Sequence, residues 1–113
     1  MNNREFGNKG EDLACEYLIR NGYKILERNK HFSTLCEIDI IAKLKDKVVF
    51  VEVKTRKSNA FGSPMEAITK TKYHNIKTGA LSYVQEHKIK AFQIDVIGIT
   101  LEPILKIEHL RNV

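Results

Sequence analysis

No run of apolar residues in this chain approaches the ~20 needed to span a bilayer. Its opening residues, Met1-Asn2-Asn3-Arg4-Glu5, lack the apolar stretch that secretion requires. Together these absences lead us to expect a cytoplasmic protein without a membrane partner. Cysteine is scarce: Cys15 and Cys36 are too few and too far apart for a zinc knuckle or a disulfide scaffold, and both read as small buried hydrophobes. The four histidines, His31, His74, His87 and His109, show no spacing that would set two of them on one helical turn for a metal. Any metal should therefore be a hard cation held by oxygen. With only six Gly and two Pro, 42% hydrophobic and 29% charged residues, the chain has the balance of a compact fold rather than a disordered one.

Its 113 residues suit one domain spanning 1–113. Nineteen basic against 14 acidic residues give a net charge of +5 and an isoelectric point near 9.3, so a polyanionic partner is plausible, although charge alone decides little.

Residues 4 to 21 carry a helical pattern, with Phe6, Leu13, Ala14, Tyr17 and Leu18 at three and four residue intervals and Gly22 closing the helix. Gly7 and Gly10 in its early turns are poor helix formers, which suggests close approach of another backbone or a ligand. Strand-type runs follow at Tyr23 to Asn29, Glu37 to Lys43 and Lys47 to Thr55, the last two joined by a short polar turn at Leu44-Lys45-Asp46. Ser63-Pro64-Met65-Glu66 has the residues of a helix start, predicting a helix to about His87. Ala67, Ile68, Ile76, Ala80, Leu81 and Val84 should face inward, with Lys70, Lys72, Lys77 and Lys88 solvated. Two strands, Ala91 to Ile99 and Ile104 to Leu110, complete an αβββαββ order. The expected fold is an α/β sandwich with a mixed five-stranded sheet.

Glu37 to Ala42 and Val48 to Lys54 are almost continuously apolar, as strands covered on both faces are. Charges inside them need a reason. A hairpin centred between Lys45 and Asp46 sets Asp39 directly opposite Glu52, with Cβ atoms ~4.5 to 5.5 Å apart. Two carboxylates so placed repel by roughly 3 kcal/mol at an effective dielectric near 20, so a cation is expected between them. Mg²⁺ (or Mn²⁺) fits, since it is commonly held by one or two carboxylates, waters and a substrate phosphate. Lys54, two residues beyond Glu52 on the same face, is placed to activate water or neutralise charge on a phosphate. Glu11 lines up with Ala14, Cys15 and Leu18 and points towards the sheet as a candidate fourth member. Its competing role is in a capping box with Asn8. For Asp39, Glu52 and Lys54 the competing role is a buried ion-pair network, although two acids and one lysine leave it unbalanced. Taking these four residues out of the count leaves 18 basic against 11 acidic, a remainder of +7. Arg56, Ser58, Asn59 and Lys72 are candidates for contact with nucleic-acid phosphate. Glu37 shares the Asp39 face, and Asp95 is read as structural.

These residues resemble the YraN family of predicted endonucleases and, more distantly, the archaeal Holliday junction resolvases of the PD-(D/E)XK superfamily. Gly7-x-x-Gly10-Glu11 with Ala14, Tyr17-Leu18, Gly22-Tyr23 and Asn29 fits the first segment of the family. Glu37-Ile38-Asp39-Ile40-Ile41-Ala42 and Phe50-Val51-Glu52-Val53-Lys54-Thr55-Arg56 fit its core. Cys36 stands where glycine is usual and Gln93 where arginine is common. The resemblance implies a restriction-endonuclease-like fold and metal-dependent hydrolysis of a phosphodiester. In it Asp39 and Glu52 are metal ligands, Lys54 is the catalytic lysine and Glu11 is a helix-borne acidic partner. The expected activity is a Mg²⁺- or Mn²⁺-dependent endonuclease acting on branched or structured DNA. The alternative is a protein that grips nucleic acid or a DNA-processing partner without cleavage. A homodimer is left open.

Overall fold

The computed structural model describes residues 3–33, 36–58 and 68–113. Helix α1 (Asn3–Arg20) leads into strands β1 (Lys24–Ser33), β2 (Cys36–Leu44) and β3 (Lys47–Arg56). Helix α2 (Lys70–Glu86), β4 (Phe92–Thr100) and β5 (Lys106–Leu110) follow, giving the expected αβββαββ order. The five strands form one mixed sheet in the order β1-β2-β3-β4-β5. β3 and β4 run parallel, which requires a crossover, and α2 supplies it; the other neighbours are antiparallel.

Alternation along β3 divides the core between two faces. Val49, Val51 and Val53 pack with Ala14, Cys15 and Leu18 of α1, while Val48 and Phe50 pack with Ile76, Ala80 and Tyr83 of α2. The helices therefore cover opposite faces of the sheet, and its central strands are apolar on both. Helix α1 ends as expected at Gly22, whose φ of 88° only glycine adopts readily. Its N–H donates to the Ile19 carbonyl at 3.1 Å, and the Tyr23 N–H to that of Leu18 at 3.0 Å. Asn8 lies inside α1, so it does not cap the helix with Glu11. A Cβ on Gly10 would overlap the Thr55 side chain, whereas one on Gly7 would meet nothing within 4 Å; close approach holds for Gly10 only.

Helix α2 differs from expectation at its start. The Ser63-Pro64-Met65-Glu66 signal lies outside the described residues, but Ile68 and Thr69 are non-helical, so no continuous helix runs from there to His87. Thr69 is the N-cap instead, its hydroxyl accepting from the Lys72 N–H at 3.0 Å. Leu81 is 47% exposed rather than inward. The buried stripe is Ile76, Ala80 and Tyr83, at intervals of four and three, and Leu81 is rotated about 100° away from Ala80. No helix among the described residues is long and apolar enough to cross a membrane.

Candidate active site

The turn at Lys45 and Asp46 sets the β2–β3 ladder in the anticipated register, from Leu44↔Lys47 to Ile40↔Val51. One step further, where Asp39 would face Glu52, the ladder stops. Asp39 Oδ2 accepts a hydrogen bond from the Val53 N–H at 2.8 Å, so a side chain from β2 satisfies a backbone donor of β3. β3 does not lose its other neighbour and stays paired to β4 through Arg56↔Thr100. The parting of β2 from β3 opens a cleft of about 400 Å³ beneath the first turns of α2. Glu37, Asp39 and Glu52 line it from the sheet, Thr69, Lys72 and Asn75 from the helix side.

Glu52 is only 4% exposed, and Lys72 Nζ lies 2.6 Å from its Oε1. Asp39 is in hydrogen-bonding contact with Glu52. Burial pushes the Asp39 carboxyl up to about 8, the Glu52 charge pushes the same way, and the Val53 bond opposes both. At neutral pH Asp39 therefore holds its proton. The Lys72 ammonium is raised: burial works against its charge, but the bond to Glu52 and the charges of Asp39 and Glu37 outweigh it.

Glu11 approaches the same region from α1. Its Oε1 is 3.7 Å from Arg28 Nη2, and Arg28 also pairs with Asp12 at 2.8 Å. With its amide nitrogen turned towards the carboxylates, Asn29 donates to Glu11 at 3.0 Å and to Glu37 at 2.8 Å. The left-handed backbone of Asn29, φ 52°, accompanies this bridge. Burial raises the Glu11 carboxyl against the pull of Arg28 and Asn29, and the Glu37 and Glu52 charges add to the rise. Glu11, Glu37, Asp39 and Glu52 thus share one field. Among the described residues, however, no three His, Cys, Asp or Glu side chains meet in a geometry that could hold a metal ion.

Lys54 is half-buried, pairs with Gly98 of β4 and is not among the described residues that line the cleft. Arg56 and Ser58 follow on β3 and just after it; Asn59 lies outside the described residues. Lys72, expected to be largely solvated and offered as a phosphate contact, reaches into the site and pairs with Glu52 while its side chain stays 40% exposed. A helix whose first turn has two lysines and no acid opposes its own dipole, and that was the available signal. A helix starting at Ser63-Pro64 would place both lysines in its interior, where they carry no such signal. Asp95 belongs to the opposite face, in line with Ile97 and Ile99 under α1. His109 Nε2 bonds to Asp95 Oδ2 at 2.7 Å, while Gln93 Nε2 and the Asn112 N–H donate to Oδ1 at 2.7 and 3.0 Å. Tyr17 OH bonds to His109 Nδ1 at 3.0 Å. Its structural reading holds.

The model of the uncharacterised protein family UPF0102 matches residues 10–99, a span that includes α1 from Gly10, the hairpin, α2 and most of β4. The chain belongs to UPF0102. This is the YraN family of the sequence resemblance. A UPF0102 protein of Syntrophomonas wolfei is 45% identical over 113 residues, covering 97% of each chain. One from Caldicellulosiruptor saccharolyticus is 45% identical over 117 residues, covering 99% of this chain and 98% of the relative. Among solved structures, that of Pyrococcus furiosus SfsA in complex with Ca²⁺ matches 96% of this chain and 63% of its own, at 13% identity and a TM-score of 0.36.

Proposed function

We propose that this member of UPF0102 is a Mg²⁺- or Mn²⁺-dependent endonuclease that hydrolyses phosphodiester bonds in DNA, with branched or structured DNA as its substrate class. The observation that carries this reading is the Asp39–Glu52 pair, two acids forced together where the hairpin ladder parts and facing an open cleft. The described lining of that cleft holds three carboxyl groups and one lysine. With all of them ionised it carries two net negative charges, which suits a divalent cation. Asp39 and Glu52 would hold the ion, leaving the remaining positions to water and phosphate, a common way of binding Mg²⁺. When bound, such an ion supplies Lewis acidity at a phosphoryl oxygen and lowers the pKa of water.

The chain's own residues divide the other tasks. The Val53 N–H fixes Asp39, and Arg28 with Asn29 holds Glu11 and Glu37 at the edge of the acidic field. Lys54 is assigned to neutralising charge on the phosphate. Arg56, Ser58 and Asn59 continue from the end of β3 and are assigned to backbone contact, for which the +7 remainder of the chain provides long-range attraction. A DNA substrate accords with the expected cytoplasmic location.

A second reading has one observation in its favour: Lys72 already neutralises Glu52, as a residue would in a binding protein that needs no cation. Purified protein should be tested with Mg²⁺ and Mn²⁺ on linear, flapped and four-way-junction DNA and on RNA. We expect cleavage that disappears in Asp39→Ala. Salt-dependent DNA binding that survives Asp39→Ala, with no cleavage by either form, would establish the binding protein instead.

A further inference from the structure

Lys72 is the one cationic residue among those described that line the cleft, and it faces three carboxyl groups. Its backbone is pinned, because its N–H is the donor to the Thr69 cap. Its side chain is not. That side chain is 40% exposed while its partner Glu52 is 4% exposed, so the ammonium can withdraw into the open cleft and the carboxylate cannot follow. The position is also an unfavourable one for a cation, in the first turn of α2 where the helix dipole repels positive charge and attracts anions. Two forces therefore act on the same ammonium: Glu52 draws it inward, and the end of the helix leaves it better placed against an anion than alone.

Resting on the nuclease reading above, we propose that Lys72 is a positioning residue that couples cation binding to nucleic-acid binding. In the cation-free protein its ammonium is the counter-ion of Glu52. A divalent ion taken up by Asp39 and Glu52 displaces it, and the freed ammonium then pairs with a substrate phosphate in the cleft. As the ion binds, Asp39 gives up to solvent the proton it holds at neutral pH, and one ion pair is exchanged for two. Two consequences follow. Without nucleic acid, Lys72 competes with the divalent ion and weakens its binding. With nucleic acid, the same lysine rewards that binding, so each ligand strengthens the other.

The test uses the full chain as wild type, Lys72→Met and Lys72→Arg, each checked for cooperative melting. Calorimetric titration with Mg²⁺ and Ca²⁺ in the absence of DNA should show binding up to about fivefold tighter in Lys72→Met, the scale expected for losing one partly exposed competing ion pair. Fluorescence anisotropy of a labelled four-way junction, in EDTA and in Ca²⁺, should show a Ca²⁺-dependent gain in wild type. That gain should be largely lost in Lys72→Met and partly kept in Lys72→Arg. Unchanged or weaker Mg²⁺ binding by Lys72→Met overturns the coupling alone if the wild type binds Mg²⁺ and cleaves. If the wild type takes up no divalent ion, the coupling and the nuclease reading fall together.

Discussion

A carboxyl group that keeps its proton to about pH 8 makes folding respond to pH in a definite direction. Unfolded, Asp39 would ionise near its ordinary 3.8. Between these values the folded state binds the extra proton, so stability falls as pH rises through this window and levels off above it. Asp39→Asn keeps much of the shape and removes the ionisation. In urea denaturation at a series of pH values from 4 to 9, we expect its midpoint to be much less sensitive to pH than the wild type's. The gain should be greatest on the alkaline side and on the order of a few kcal/mol. A wild-type midpoint that stays level from pH 4 to 9 would rule out the raised acid. The same substitution abolishes cleavage in the proposed function, so stability gained and activity lost are expected from one change.

Between elements, the contact that most constrains the site is that of α1 on β3. Gly10 allows the helix to lie against Thr55, and Glu11, the next residue, owes its position to that approach. An added methyl group at Gly10 would also come within 2.8 Å of Thr55 Cβ. We expect Gly10→Ala to destabilise by about 1–3 kcal/mol despite its better helix propensity, and Thr55→Gly to restore part of that loss in the double variant. Thermal melts of the four proteins decide it; additive effects would deny the contact. Much at this scale was legible beforehand. The hairpin register followed from a two-residue polar turn between apolar runs, and the Gly10 approach from a poor helix former within an otherwise regular pattern. Other features were not. β1 continues past Asn29 to Ser33 along the sheet edge, where polar residues are tolerated and the usual alternation is absent. The inward face of α2 depends on where the helix begins, and Thr69 offered a weaker signal than Ser63-Pro64. Ion pairs such as Lys72–Glu52 join residues twenty positions apart and leave no periodic trace.

Across the whole molecule, two acids on opposite faces of the sheet bound the pH optimum of stability from opposite sides. Burial tends to raise the Asp95 carboxyl, but bonds from His109, Asn112 and Gln93 outweigh it and hold the group below its usual range. That contribution is present above the unfolded carboxylate range and is lost as pH falls through the lowered value. Asp39 removes stability from the other end, so the maximum should lie on the acid side of neutrality. The Asp95 network also has the widest structural reach. Through Tyr17 it holds α1, through His109 it holds β5, and through Gln93 it meets Lys47 of β3 at 3.1 Å. Asp95 is fully buried, and Asp95→Ala should cost about 3–5 kcal/mol, because it strands several donors at once. A double-mutant cycle with His109→Ala would show strongly non-additive losses. Simple addition would mean that the chain of bonds does not act as a unit.

The hydrogen bond from Val53 to Asp39 has a mechanical meaning as well. Elsewhere the hairpin is fastened by peptide groups, whose strength is set once and for all. At its mouth the fastening is a carboxyl group, whose hold tightens when it ionises because a charged acceptor makes the stronger bond. Whatever changes the charge state of Asp39 therefore also changes how firmly the two strands are clasped. Chemistry in the cleft becomes tension in the sheet, and the parallel pairing of β3 to β4 provides the fixed frame against which that tension acts.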